Sequence, residues 1–75
     1  MSDITNYENL ANAIILCAAD DYRAALKGLK ANPRNWRAKA GKDDIERFFR
    51  SGWFSVLTSV DGEMLIRSMQ MEVDA

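Results

Sequence analysis

Apolar residues in the first part of the chain recur at intervals of three and four, the spacing of one face of an α-helix. This series consists of Tyr7, Leu10, Ala11, Ile14, Ala18, Tyr22, Ala25 and Leu29. The pair Asn32-Pro33 ends it, because a residue before proline is disfavoured in the helical region. The sequence therefore predicts a helix over residues 7–31, preceded by disorder over residues 1–5. Leu16 falls on the side of this helix opposite to that series. A helix that is apolar on a second side is expected to contact another chain as well as its own core.

The rest of the chain predicts three further helical segments. They are a helix over 33–51, a short turn of helix over 53–57 and a last helix over 61–73. Asn32 as cap and Pro33 as first residue suit the start of the second helix. Gly41 weakens that helix by about 1 kcal/mol relative to alanine, so a break near Gly41 is an alternative. Residues 1–75 are thus expected to form a single all-α domain, a small bundle of three main helices.

The composition offers no cross-link to stabilise so small a domain. The chain has 75 residues, a single cysteine (Cys17) and no histidine, which excludes an intrachain disulfide and argues against a zinc site. An apolar fraction of 48% favours helix packing and self-association instead, so we expect a homo-oligomer. No run reaches the roughly 20 apolar residues of a membrane span, and no signal-peptide pattern occurs. We expect a reduced, intracellular protein without membrane contact.

Charge is distributed very unevenly along the chain. Between Tyr22 and Lys42 there are seven basic residues and no acidic ones, whereas the remainder has three basic and eleven acidic residues. The basic residues of this segment are Arg23, Lys27, Lys30, Arg34, Arg37, Lys39 and Lys42. One interpretation is a solvated face whose charges pair with acids elsewhere. The other is a binding site for an anion such as a nucleotide, a nucleic acid or an acidic protein surface.

Trp36 lies within this basic segment and favours the second interpretation. In a continuous second helix its ring points away from the apolar face, where tryptophan and arginine planes together suit stacked bases. Alternatively, Trp36 folds over the turn and packs on Leu29. The candidate ligand-binding residues are Tyr22, Arg23, Arg34, Trp36, Arg37, Lys39, Lys42, Arg50 and Trp53.

Asp21 falls inside the apolar face of the first helix, close to Leu10, Ala18 and Ala25, and a carboxylate buried there needs a partner. Arg47 or Arg50 from the second helix would supply one as a buried ion pair that fixes the helix register. The alternative is a polar site in a pocket at the base of Tyr22. The run Phe48–Phe54 is rich in aromatic residues, and part of it, with the methionines, is expected to form a protein interface.

Catalysis is poorly supported by the residue types present. Without histidine, a serine or cysteine nucleophile lacks its usual base. The adjacent carboxylates Asp20/Asp21 and Asp43/Asp44 point about 100° apart on a helix and do not share a substrate. No glycine-rich phosphate loop or metal-binding loop is present. We therefore expect a non-enzymatic protein without a cofactor or metal.

Three stretches of the chain resemble short proteins encoded by phages and prophages of Gram-positive bacteria. They are residues 7–23, the Phe-Phe-Arg-Ser-x-Trp-Phe run at 48–54, and Leu57-Thr58 with Asp61-Gly62-Glu63 and Leu65-Ile66. The resemblance covers residues 7–67 and implies a mobile-element protein that acts in the bacterial cytoplasm. Those proteins carry no assigned activity, so it implies a setting rather than a mechanism.

The sequence thus leaves three functional hypotheses. The first is a phage-type anti-defence protein that sequesters an anionic nucleotide signal as a homo-oligomer, with pockets at its interfaces. In it, the arginines and lysines neutralise phosphate while Tyr22, Trp36 or Trp53 stacks a base. The second is an inhibitor that docks on a host defence enzyme. The third is a small nucleic-acid-binding regulator, which Asp43, Asp44 and Glu46 disfavour because they would face phosphates.

Overall fold

The structure, a computed structural model, describes the backbone of residues 3–74 and the side chains of residues 9–74. In this part of the chain there are four helices and no strand: α1 (Asp3–Ala31), α2 (Trp36–Phe49), α3 (Gly52–Leu57) and α4 (Gly62–Asp74). The predicted small all-α bundle is confirmed. None of the described helices combines the length and the apolar character needed to cross a membrane.

Helix α1 begins at Asp3, four residues before the predicted start, and ends at Ala31 as predicted. Residues 3–5, which were expected to be disordered, are therefore helical, while residues 1 and 2 lie outside the described part of the chain. Among the described side chains, the predicted apolar face of α1 is confirmed in part. Ala11 and Tyr22 of that face are buried and Ala18 packs against the core, whereas Leu10 and Ile14 are exposed. Ile15, Ala19 and Leu26, which were not part of the predicted face, also contribute to the core.

The connection between α1 and α2 is a four-residue turn that begins at Asn32. The amide of Asn35 donates to the carbonyl of Asn32 at 3.0 Å, and Pro33 occupies the second position, where its fixed φ suits a turn. Asn35 caps α2 by accepting a hydrogen bond from the amide of Ala38 at 3.1 Å. The prediction that Asn32 is the cap and Pro33 the first helical residue is wrong, because Pro33 serves the turn instead.

Helix α2 is continuous through Gly41 and ends at Phe49, two residues earlier than predicted. The break considered near Gly41 does not occur. The side chain of Ser51 explains the early end: its hydroxyl donates to the carbonyl of Phe48 at 2.6 Å and accepts from the amide of Phe54 at 3.2 Å. Ser51 therefore binds a carbonyl at the end of α2 and is the N-cap of α3.

The core lies where the four helices meet, and aromatic rings dominate it. Phe49 is 2% exposed, and its ring packs edge-on against Tyr22 and Phe54 at centroid distances of 6.0 and 5.4 Å. The buried residues of this cluster are Ala19, Tyr22, Phe49, Phe54, Ile66 and Met69. Each helix contributes at least one of them, so the short helix α3 is held by burial of Phe54.

Helix α1 is much longer than the helices that pack on it. Its 29 residues extend about 43 Å, nearly the full 47 Å length of the molecule, whereas α2 has 14 residues and α4 has 13. The contribution of α1 to the central core cluster starts at Ile15. Ala11, four residues earlier, is also buried, whereas Leu10 and Ile14 are exposed.

Candidate functional site

Several basic residues of the predicted ligand site are neutralised by carboxylates of the same chain. The ion pairs are Arg23 with Glu72 at 2.7 Å, Lys39 with Asp43 at 2.9 Å, and Lys42 with Glu46 at 2.6 Å. The hydrogen bond that Lys39 donates holds the pKa of Asp43 below its usual value, and the hydrogen bond that Arg23 donates to Glu72 raises the pKa of Arg23. For these three cations the first interpretation of the basic segment, pairing with acids elsewhere, is the correct one.

The other cations lie at the end of the bundle where α1 turns into α2. Trp36, the first residue of α2, is 71% exposed, so its packing over the turn is excluded. The guanidinium carbon of Arg37 lies 5.4 Å from the centre of its ring, a cation–π contact. We call this surface the basic turn; it consists of Lys27, Lys30, Arg34, Trp36 and Arg37.

Most of the charge on the basic turn is not compensated within the described residues. Lys30 donates to the backbone carbonyl of Val73 at 2.8 Å. Lys27, Arg34 and Arg37 have no carboxylate within ion-pair distance among residues 9–74. The first turn of α2 also contains no acidic residue, so the positive end of its dipole adds to the same field. The basic turn is thus an exposed indole with the guanidinium of Arg37 beside it, at the end of the bundle where Lys27 and Arg34 also lack a carboxylate partner among the described residues.

Tyr22 does not belong to this surface. Its side chain is fully buried, and its hydroxyl donates to Glu46 at 2.6 Å while accepting from Gln70 at 3.1 Å. Burial, followed by the hydrogen bond to Glu46, raises the pKa of Tyr22 well above its usual value. The prediction that Tyr22 stacks on a ligand is wrong, because the ring is the centre of the core.

The buried carboxylate is Glu46 rather than Asp21. Glu46 is 8% exposed and is held by Tyr22, by Lys42 and by Arg50, whose Nη1 lies 3.3 Å from Oε1 of Glu46. Together with Gln70, these side chains connect α1, α2 and α4. Sequence reasoning missed this cluster. The feature that could have indicated it is the four-residue spacing of Lys42, Glu46 and Arg50 along one helix.

Asp21 is exposed and makes no ion pair with any described residue. Arg47 pairs with Asp44 at the surface at 3.3 Å. Arg50 pairs with Glu46 and also with Glu63. The predicted ion pair of Asp21 with Arg47 or Arg50 is wrong, because Asp21 lies outside the face of α1 that packs on the core.

Acid is expected to weaken the fold through Glu46. Burial alone would raise the pKa of its carboxyl, but the hydrogen bonds from Lys42 and Tyr22 outweigh burial and lower it. The stabilisation is therefore complete above the ordinary value of 4.5 and is lost as the pH falls through the lowered pKa. Urea unfolding of the wild type and of Glu46→Gln checks this: the difference between their free energies of unfolding should shrink from neutral pH to well below 4.5. An unchanged difference would assign the acid sensitivity to other carboxylates.

The remaining predicted ligand residues lie away from the basic turn. Trp53 is 60% exposed but belongs to α3, which follows the opposite end of α2 from Trp36. The 14 residues of α2 separate the two ends by about 20 Å. The nine predicted residues therefore do not form one site, and only Arg34, Trp36 and Arg37 remain together with free side chains.

The aromatic and methionine residues expected at an interface divide into two groups. Phe49 and Phe54 are buried in the core, whereas Trp53, Met64 and Met71 are at least 60% exposed. Met64 and Met71 line a shallow depression with Arg67 on the outer side of α4. We call these three residues the methionine face.

Among the described residues, no group of three or more cysteine, aspartate or glutamate side chains is placed to hold a metal ion. Comparison of the chain with protein families, with curated proteins and with solved structures finds no match.

Proposed function

We propose that this protein is a non-enzymatic binding protein that holds a nucleotide-like anion at the basic turn. The observation that carries the proposal is Trp36, an indole that is 71% exposed and has the guanidinium of Arg37 beside its ring. Tryptophan is among the residues enriched where binding energy is concentrated. The positive charge of Arg37 beside the ring, with Arg34 two residues earlier, favours an anionic ligand.

Each part of the basic turn contributes a distinct interaction in this proposal. A base stacks on the indole of Trp36, because every base has a π-face and such stacking contributes about 1–3 kcal/mol. Arg34 and Arg37 donate paired N–H groups to phosphate oxygens, which is the geometry that favours arginine at phosphate sites. Lys27 adds a further positive charge from α1.

The resemblance to phage and prophage proteins supplies the setting of the proposal. In the cytoplasm of an infected bacterium, a protein that binds a nucleotide signal without converting it lowers the free concentration of that signal. Sequestration of a nucleotide used in host defence is therefore the role that we propose. It needs no catalytic group, which agrees with the residue types available.

Fluorescence of Trp36 tests the proposed site directly. In a Trp53→Phe background Trp36 is the only tryptophan, so stacking of a nucleotide should quench its emission and raise the melting temperature of the protein. Mono-, di- and cyclic nucleotides form the ligand set. Arg34→Glu and Arg37→Glu should each weaken binding at least about tenfold, equivalent to about 1.4 kcal/mol.

Arg67→Glu is the matched control, since it makes the same change of charge on the opposite side of the bundle. It should leave binding unchanged. Equal losses for Arg37→Glu and Arg67→Glu would indicate attraction by net charge alone, and the absence of quenching by every nucleotide would exclude the proposal. Steep loss of affinity for single-stranded DNA or RNA with added salt would indicate a nucleic-acid ligand instead.

The methionine face favours a second candidate function, inhibition of a host protein by direct docking. Methionine, arginine and tryptophan are enriched at the centres of protein interfaces, and Met64 and Met71 are exposed on one side of α4. If docking is the function, Met64→Lys should abolish activity in cells while Arg37→Glu retains it. The opposite result would favour the basic turn.

A further inference from the structure

The part of α1 that precedes Asp20 has an unusual surface. From Asn9 to Ala19 the chain contains no charged residue, yet most of this stretch is exposed. Leu10 is 60% and Leu16 is 63% exposed. A solvated helix face normally carries charged side chains, whereas depletion of charge marks the centre of a protein interface.

This neutral surface continues into an apolar groove between α1 and α2. The groove has a volume of about 510 Å³ and is lined by Ala13, Ile14, Cys17, Ala18, Ile45 and Phe48. It adjoins the core, because Ala18, Ile45 and Phe48 line the groove and also pack against the core cluster. Asp21 and Asp44 lie at the end of the groove nearer the basic turn.

The exposed area of the chain exceeds that of a compact monomer of its mass. The chain exposes 5427 Å², whereas a compact monomer of 8.5 kDa is expected to expose about 4,700 Å². The excess of about 730 Å² is close to the roughly 800 Å² that each partner buries in a stable interface. One further contact of ordinary size would bring this chain to the exposure of a compact protein.

We propose that the occupant of this groove is a second copy of the same chain. The exposed apolar positions Leu10, Ile14 and Cys17 follow each other at spacings of four and three residues, as in a helix that pairs with another helix. Two such helices pair antiparallel about a two-fold axis, so that the same patch is used on both chains. A neutral face pairs with itself without repulsion, whereas the charged surfaces of this molecule would oppose their own copies.

In the dimer the exposed positions Leu10 and Ile14 of one copy lie against the groove of the other copy. The carboxylates of Asp21 and Asp44 remain at the solvated rim, where Arg47 already pairs with Asp44 at 3.3 Å.

Sedimentation velocity over a range of concentrations from micromolar to millimolar tests this arrangement. The wild type should sediment with twice the chain mass of 8.5 kDa. Ile14→Lys should weaken dimerisation at least about a hundredfold, equivalent to about 2.7 kcal/mol, because it introduces a charge into the paired face. Met64→Lys makes the same kind of change on α4, where the residue is 65% exposed, and should leave the dimer intact.

Cysteine cross-linking locates the interface independently. Cys17 is the only cysteine and lies in the groove, so a short bis-maleimide should link two wild-type chains and should fail with Ile14→Lys. Leu10→Lys repeats the test at a second exposed position of α1, which is 60% exposed and lies outside the core cluster. Circular dichroism verifies that each variant is folded. A monomer throughout the concentration range, or a dimer dissociated by Met64→Lys and not by the α1 variants, would overturn the proposal. The basic turn lies outside this surface, so Arg37→Glu should affect nucleotide binding without affecting the dimer.

Discussion

Phe49→Ala is expected to lower the free energy of unfolding by about 3–5 kcal/mol, the usual effect of deleting a buried phenylalanine ring. Phe49 is 2% exposed, and its ring contacts Tyr22, Phe48 and Phe54 in edge-on or tilted geometry. Since domains of ordinary stability have only about 5–15 kcal/mol in total, a domain of this size should be largely unfolded by this change. Loss of the helical circular dichroism signal at room temperature measures it.

Trp53→Ala is the matched control for this prediction, because it removes a larger ring from the adjacent helix. Trp53 is 60% exposed, and substitutions at such positions usually change the free energy of unfolding by no more than about 0.5 kcal/mol. Similar urea midpoints for the two variants would contradict the assignment of Phe49 to the core.

Gly62→Ala is expected to cost about 3 kcal/mol, although it adds a single methyl group to the first turn of α4. A Cβ atom at Gly62 would lie 2.9 Å from the carbonyl carbon of Phe49 and closer still to its oxygen. Because this obstacle is backbone, α4 must move away from the end of α2, and such shifts cost about 1–3 kcal/mol or more. Urea unfolding monitored by circular dichroism measures the effect.

Gly41→Ala makes the same change inside α2 and should have the opposite sign. A Cβ atom at Gly41 has no neighbour within 4 Å, so only the higher helix propensity of alanine remains, worth about 1 kcal/mol of stabilisation. If both variants proved stabilising, the close approach of α4 to Phe49 would be excluded.

The number and limits of the helices follow from local rules that the sequence displays. The spacing of apolar residues, together with helix-ending residues such as those around Asn32 and Gly52, predicts four helical segments. Each helix boundary lies within four residues of its predicted position. The face of α1 that packs on the core follows from them only in part. Tyr22 of the predicted face is buried, where it donates a hydrogen bond to Glu46, 24 positions away, but Leu10 and Ile14 of the same face are exposed. Contacts between distant parts of the chain decide which residues are covered, and local spacing does not contain them.

The prediction that nine residues form one ligand site is wrong for a related reason. A count of charges along the chain identifies the basic segment but cannot show which cations are neutralised by distant carboxylates. Arg23 pairs with Glu72 across 49 positions, and only folding brings these two residues together. Trp36 and its neighbours Arg34 and Arg37 were predictable because their exposure depends on a local feature, the turn after Asn32.

Because α1 is one uninterrupted helix, it fixes the distance between the neutral surface and the basic turn. In the proposed dimer, a two-fold axis near Ile14 and Cys17 would place the two basic turns at opposite ends, about 45 Å apart along the helices. The sites would then be too distant to enclose one small molecule between them. Such an assembly would be bivalent, able to retain two separate nucleotides or to gain avidity from a long polymer that reaches both ends.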